Sequence, residues 1–95
     1  MVSSSVSIVR STRKDKKYMA IFTNPRTTVH FGAVGYSDFT KHKDTKRKQR
    51  YLNRHRKNEN WNNPRTPGSL SRWILWNKPT LKASIKDYKK RFHLH

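Results

Sequence analysis

The chain reads as a small α+β unit: a β-hairpin packed on two or three α-helices, behind a basic N-terminal tail. Three observations predict it. Aromatic and β-branched residues alternate on either side of an Asn-Pro pair in the first third of the chain. Apolar residues recur at helical spacing in the last third. The whole is 95 residues, 32% hydrophobic, without cysteine, which leaves room for one thin core and no disulfide or thiolate metal site.

Residues 1–16 read as a flexible tail, Ser-rich and then basic, and residues 17–95 as the domain. Val6, Ile8 and Val9 add an edge strand only where a partner supplies a sheet. There is no apolar run of signal-peptide or membrane-span length, so an intracellular or intra-particle soluble component is expected.

Tyr18 to Phe22 form the first hairpin strand and Thr27 to Phe31 the second. Thr23-Asn24-Pro25-Arg26 is the turn, because Asn-Pro initiates turns and proline fixes φ. Alternation puts Tyr18, Ala20 and Phe22 on one face with Val29 and Phe31. Gly32 and Gly35 then let the chain bend away.

A short connector carries Tyr36 and Phe39, with Ser37 or Asp38 to cap one turn. Asp44 caps a long basic helix running to Arg56 or Lys57, in which Tyr51, Leu52 and His55 make a narrow inward seam. In the Asn- and Pro-rich loop that follows, Trp61 is expected to fold back as a core plug. Thr66 or Ser69 starts the helix SLSRWILW, and Pro79 or Thr80 starts the last one. There, Leu81, Ile85, Tyr88 and Phe92 form a single stripe. The expected core is Phe22, Phe31, Leu52, Trp61, Leu70, Trp73, Ile74, Leu81, Ile85 and Tyr88.

Charge dominates the functional reading. The net charge is +18, and residues 41–57 hold nine Lys or Arg against one acid, Asp44. Such a chain repels itself unless anions lie nearby. The candidate anion- or nucleic-acid-binding residues are Lys41, Lys43, Lys46, Arg47, Lys48, Arg50, Arg54, Arg56 and Lys57. Lysine and arginine neutralise phosphates and release counterions without reading sequence. The bland alternative is a solvated charged face, disfavoured by the scarcity of balancing acid. Most aromatics are core by their spacing, and Tyr36 is the candidate for stacking on a base. The segments TKRKQR and YLNRHRKN also fit a nuclear-localisation pattern, a frequent match in basic chains.

Asp38 and Asp44 read as caps, or as ion-pair partners of Lys41 or Arg72. A hairpin followed by a helix with Asn53 and His55, with His30 and His42 nearby, loosely fits a ββα-metal nuclease. The chain has few acids and no HxH or HExxH cluster, so no metal site and no catalytic residue is assigned. His93 and His95 read as a frayed terminal pair.

At GYSDFTKHKD, RYLNRHRKNENW and SLSRWILWNKPTLKASIKDYKKRF, the chain resembles a family of small uncharacterised basic proteins of nucleocytoplasmic large DNA viruses. That family shares a hairpin ending near "FG…GYSDYT.HKD", a basic helix, a "NP.T.G.LSR.ILW" segment and a C-terminal "S…YK.RF" helix. The likeness covers roughly residues 17 to 92. Phe39 stands where the family usually has tyrosine, and Pro67 sits just before Gly68. The resemblance implies a viral protein packaged in the particle and implies no activity.

The expectation is a non-enzymatic virion structural protein of minor-capsid or cement type, bridging anionic surfaces. Its partners would be capsid or other virion proteins, and its location the virion, reached through host cytoplasm or nucleus. The alternative is a sequence-independent nucleic-acid-binding protein that condenses viral DNA through its phosphate backbone. No cofactor, small-molecule substrate or membrane span is expected. A capsid component should have its tail buried by neighbours. A condensing protein should keep Lys46, Arg47, Arg50, Arg54 and Lys57 exposed as one stripe.

Overall fold

A computed structural model describes residues 4–95 as an α+β fold, a three-stranded antiparallel sheet with four helices. The hairpin lies where alternation places it. Strand β2 (Lys16–Phe22) pairs with β3 (Thr27–Ala33), with Tyr18 opposite Phe31 and Ala20 opposite Val29. Phe22, Ala20 and Phe31 point inward and are fully buried.

The tail reading of residues 1–16 fails for Val6 to Arg10. They form strand β1, paired antiparallel to β2 with Val6 opposite Phe22 and Ile8 opposite Ala20. The sheet that this segment needed comes from its own chain. Alternation sends Val6 into the core at 2% exposure, and the pairing supplies the backbone partners. Residues 1–3 of the expected tail lie outside the described residues. The other terminus closes on the same edge: His95 accepts from the Val6 amide at 2.9 Å and donates to the Ser4 carbonyl at 3.1 Å. His95 is therefore tied down where fraying was expected.

The connector and the basic helix follow the caps read from sequence. Asp38 caps α1 (Phe39–His42), accepting from the Thr40 amide at 3.0 Å. Asp44 caps α2 (Thr45–His55), accepting from the amides of Lys46 and Arg47. Thr66 caps α3 (Pro67–Leu70), with proline at the first helical position, where its missing N–H costs nothing. Thr80 caps α4 (Leu81–Arg91).

Between α3 and α4 the chain departs from the expected α-helical period. Residues Ser71–Leu75 form a π-helical segment, and the Trp76 amide bonds back to the Ser71 carbonyl at 3.0 Å. The wider turn buries Ile74 and Leu75 together and leaves Trp73 and Trp76 half-buried. Leu75 meets the sheet at Gly32. That glycine has φ +80°, and a Cβ there would lie 2.9 Å from Leu75 Cδ1.

The core joins Val6, Ala20, Phe22 and Phe31 of the sheet to Leu70, Ile74, Leu75 and Tyr88 of the helices. Trp73, Leu81 and Ile85, expected inside, are half-buried against it. Trp61 is not a core plug. It is half-buried outside that cluster, with its indole N–H on Glu59 at 2.7 Å and its carbonyl accepting from Trp73 Nε1 at 3.0 Å. A loop tryptophan needs a partner for its N–H, and Glu59 holds the ring at the rim. Leu52 is buried beside Tyr51, away from the main cluster. Arg65 fastens the loop to the hairpin turn. It donates to the carbonyls of Pro25 and Thr23 at 2.9 and 3.0 Å and lies over the Phe22 ring.

Candidate polyanion-binding groove

Helix α2 carries its charge on one side because the other side is occupied. Tyr51 and Leu52 are each 8% exposed. Tyr51 stacks on Trp76, with ring centroids 4.2 Å apart and planes 5° from parallel. His55 also packs on the Tyr51 ring, with centroids 4.2 Å apart, and its Nδ1 contacts Glu59 Oε1 at 3.1 Å. Burial raises the Tyr51 phenol well above its ordinary pKa, so it stays neutral.

Lys48 turns inward with this seam. Its ammonium donates to the Asn77 carbonyl at 2.7 Å and sits over the Phe39 ring at 4.8 Å. Burial first, then the charges of Arg72 and Lys78, lower its pKa. Lys48 is thus a tie between α2 and the turn before α4. It is withdrawn from the anion-binding set by geometry that composition does not reveal.

The remaining basic residues of the helix face outward. Lys46, Arg47, Arg50 and Arg54 are exposed, and at 3.6 residues per turn they fall on one side. Lys57, just past the helix, is exposed as well. Lys41 of α1 and Arg56 at the end of α2 are exposed too, and Lys43 is exposed with its ammonium on the Thr40 carbonyl at 3.1 Å. The structure brings together Arg47, Arg50 and Arg54, which line one wall of a groove of about 490 Å³. The connector after β3 also lines it, through Tyr36 and Asp38, and its floor is Tyr51, Leu75 and Trp76.

Charge is placed there against the preference of the helix. Lys46, Arg47 and Lys48 occupy the first turn, where the helix dipole disfavours cations, and no acid stands among them within the helix. Arg47, Arg50 and Arg54 are also like-charged neighbours at three- and four-residue spacing. Among the described residues none of the three takes part in an ion pair or a side-chain hydrogen bond. The chain has five acids, and each is engaged elsewhere. Asp15 pairs with Arg13, and Asp44 caps α2. Asp87 takes the Asn77 amide at 2.7 Å and pairs with Arg91, while Glu59 holds His55 and Trp61. Asp38, 2% exposed, is neutralised by Lys17 Nζ at 2.7 Å. The sequence reading offered Lys41 or Arg72 as its partner. Lys17 reaches it instead because β2 runs beside the connector. Arg72 is turned onto Trp73 and bonds the Trp76 carbonyl at 3.0 Å.

Lys17 lines a second concavity of about 450 Å³, with Arg10, Lys14, Lys16 and Lys41 around it. Arg10, Lys14 and Lys16 fell in the supposed tail and, like Lys17, were not among the candidates, whereas Lys41 was. The signal was the run RSTRKDKK, which gains a shape only once β1 pairs with β2.

The histidines do not converge. His30 Nδ1 is bonded to Ser11 Oγ at 2.7 Å, His55 to Glu59, and His42 Nδ1 accepts the Asp44 amide at 2.9 Å. Among the described residues no group of three metal-ligating side chains is found. No described helix is long and apolar enough to cross a membrane.

The fold and this face define a small basic α+β protein with a cationic groove. The chain belongs to a family of unknown function (DUF5754), whose profile matches residues 6–55. The matched span opens on the first residue of β1 and closes on the last of α2, so it includes the strand misread as tail. No curated protein and no solved structure matches.

Proposed function

We propose that the protein is a non-enzymatic, sequence-independent binder of nucleic-acid phosphate backbone, with the Arg47, Arg50 and Arg54 side of α2 as its contact surface. The observation that carries this reading is the charge balance: every acid has an internal use, so counter-charge for the three arginines must come from outside. Lys46, Arg47, Arg50, Arg54 and Lys57 are all exposed, as a condensing protein requires. Guanidinium forks match phosphate oxygens, and the second basic concavity beside Lys17 extends the track. A particle of a large DNA virus is the setting implied by the resemblance above.

The virion structural reading drew support from an N-terminal segment expected to be ordered by neighbours. That segment has a partner in β2, so its order no longer points outward. An acidic capsid face would meet the same arginines, and the experiment separates the two. Duplex DNA binding is measured for the wild type, for Arg47, Arg50 and Arg54 changed to alanine, and for Lys82, Lys86 and Lys90 of α4 changed to alanine. Both variants lose three charges. Binding that weakens far more in the α2 variant supports the proposal. Equal weakening reduces it to net charge, and weak binding throughout transfers the surface to a protein partner.

A further inference from the structure

The groove offers more than a phosphate requires. A phosphodiester backbone lying on α2 would use the arginine wall alone, leaving the floor of Tyr51, Leu75 and Trp76 bare. The volume of about 490 Å³ falls in the range of roughly 300–1,000 Å³ typical of sites that enclose a small organic group. Tyr36, which comes from the connector and not from α2, lines the same groove at 73% exposure, the single exposed Phe, Tyr or Trp among the described residues. It follows Gly35, whose φ of +92° turns the connector outward. Among the described residues no ring stacks on Tyr36, whereas Tyr51 and Trp76 already stack on each other. The acid nearest the groove, Asp38, is neutralised by Lys17.

From this juxtaposition we infer that the groove takes an unpaired nucleotide, with its base on Tyr36 and its phosphate on the arginine wall, so that single-stranded nucleic acid is preferred over duplex. The inference rests on the phosphate-binding reading and adds to it the substrate class. In a duplex each base is already stacked and paired, so it cannot enter the groove. In a single strand the base and the phosphate hang from different positions of one sugar, so one can reach Tyr36 while the other meets the arginines. Stacking on an aromatic side chain tolerates any base, so no sequence preference is expected.

The test uses the full chain and three labelled probes of equal length: a thymidine single strand, a duplex, and a single strand with abasic sites in place of its bases. Affinity is measured for the wild type, Tyr36→Ala and Tyr36→Phe at one salt concentration, after circular dichroism shows that each variant is folded. The expected result is that the wild type binds the thymidine strand several-fold more tightly than either other probe. Tyr36→Ala weakens that binding about tenfold, Tyr36→Phe keeps it, and neither changes binding to the abasic strand. Equal affinity for the three probes, or a Tyr36→Ala loss spread evenly over them, overturns the inference and leaves the phosphate reading standing. Failure to bind any of the three overturns both.

Discussion

Tyr51 of the basic helix and Trp76 at the end of the π-helical segment stack with ring centroids 4.2 Å apart and planes within 5°. This contact fixes the rotation of α2. With Tyr51 held inward, Lys48 falls under the helix and Arg47, Arg50 and Arg54 are left on the groove wall. The π-helical turn matters because it delivers Trp76 to that position. Function and packing therefore meet at one ring pair.

Removing Trp76 should uncouple them. Trp76→Ala is expected to cost about 2–3 kcal/mol, below the ~3–5 kcal/mol of a fully buried ring because Trp76 is half-buried. The readout is the urea midpoint, with DNA affinity measured where the variant remains folded. Affinity unchanged from wild type would show that the arginines do not depend on this stack.

Arg65 joins the helical half to the hairpin turn by two bonds to backbone carbonyls and a position over Phe22. Arg65→Ala is expected to lose about 2 kcal/mol, and Arg65→Lys to recover little, since an ammonium cannot serve both carbonyls as the guanidinium fork does. Denaturant titration of both variants decides it. Full recovery by lysine would reduce the role of Arg65 to charge.

Gly32→Ala should destabilise by about 1–3 kcal/mol, because φ of +80° is strained for alanine and the new methyl meets Leu75 Cδ1. Pairing it with Leu75→Ala relieves the contact but not the backbone strain. A partial rescue in the double variant, read from thermal midpoints, is the expected outcome. A complete rescue would place the whole cost in the contact.

Acid should weaken the fold through His42. Its Nδ1 accepts the Asp44 amide, and its Nε2 is buried without a partner. Burial first, then the charge of Arg47, lowers its pKa. The unfolded chain therefore takes up the proton first, near the ordinary value of about 6.5. The contribution of neutral His42 is present above that pH and is lost as pH falls through the lower folded value. Stability measured by denaturant should decline below about pH 6.5, less steeply in His42→Gln. Identical pH profiles would remove His42 from the account.

Much of this was legible because it is local. Alternation in Tyr18 to Phe22, the Asn-Pro turn and the caps at Asp38 and Asp44 each depend on a few neighbouring residues. What escaped depends on distant partners. Val6 and Ile8 look too sparse for a strand until Phe22 and Ala20 stand opposite them. Lys48 is indistinguishable from Lys46 in composition, and only Asn77, far along the chain, separates them. An α-helical period applied to SRWIL could not place Leu75, because the segment winds as a π-helix.

The most direct measurement of the central claim is the dependence of duplex DNA affinity on salt, for the wild type and for the variant with Arg47, Arg50 and Arg54 changed to alanine. Each phosphate neutralised contributes about −0.9 to the slope of log affinity against log salt. The account predicts a steep wild-type slope that shallows by about 2–3 in the variant. A slope that is the same in both proteins would contradict it, since the three arginines would then meet no phosphate.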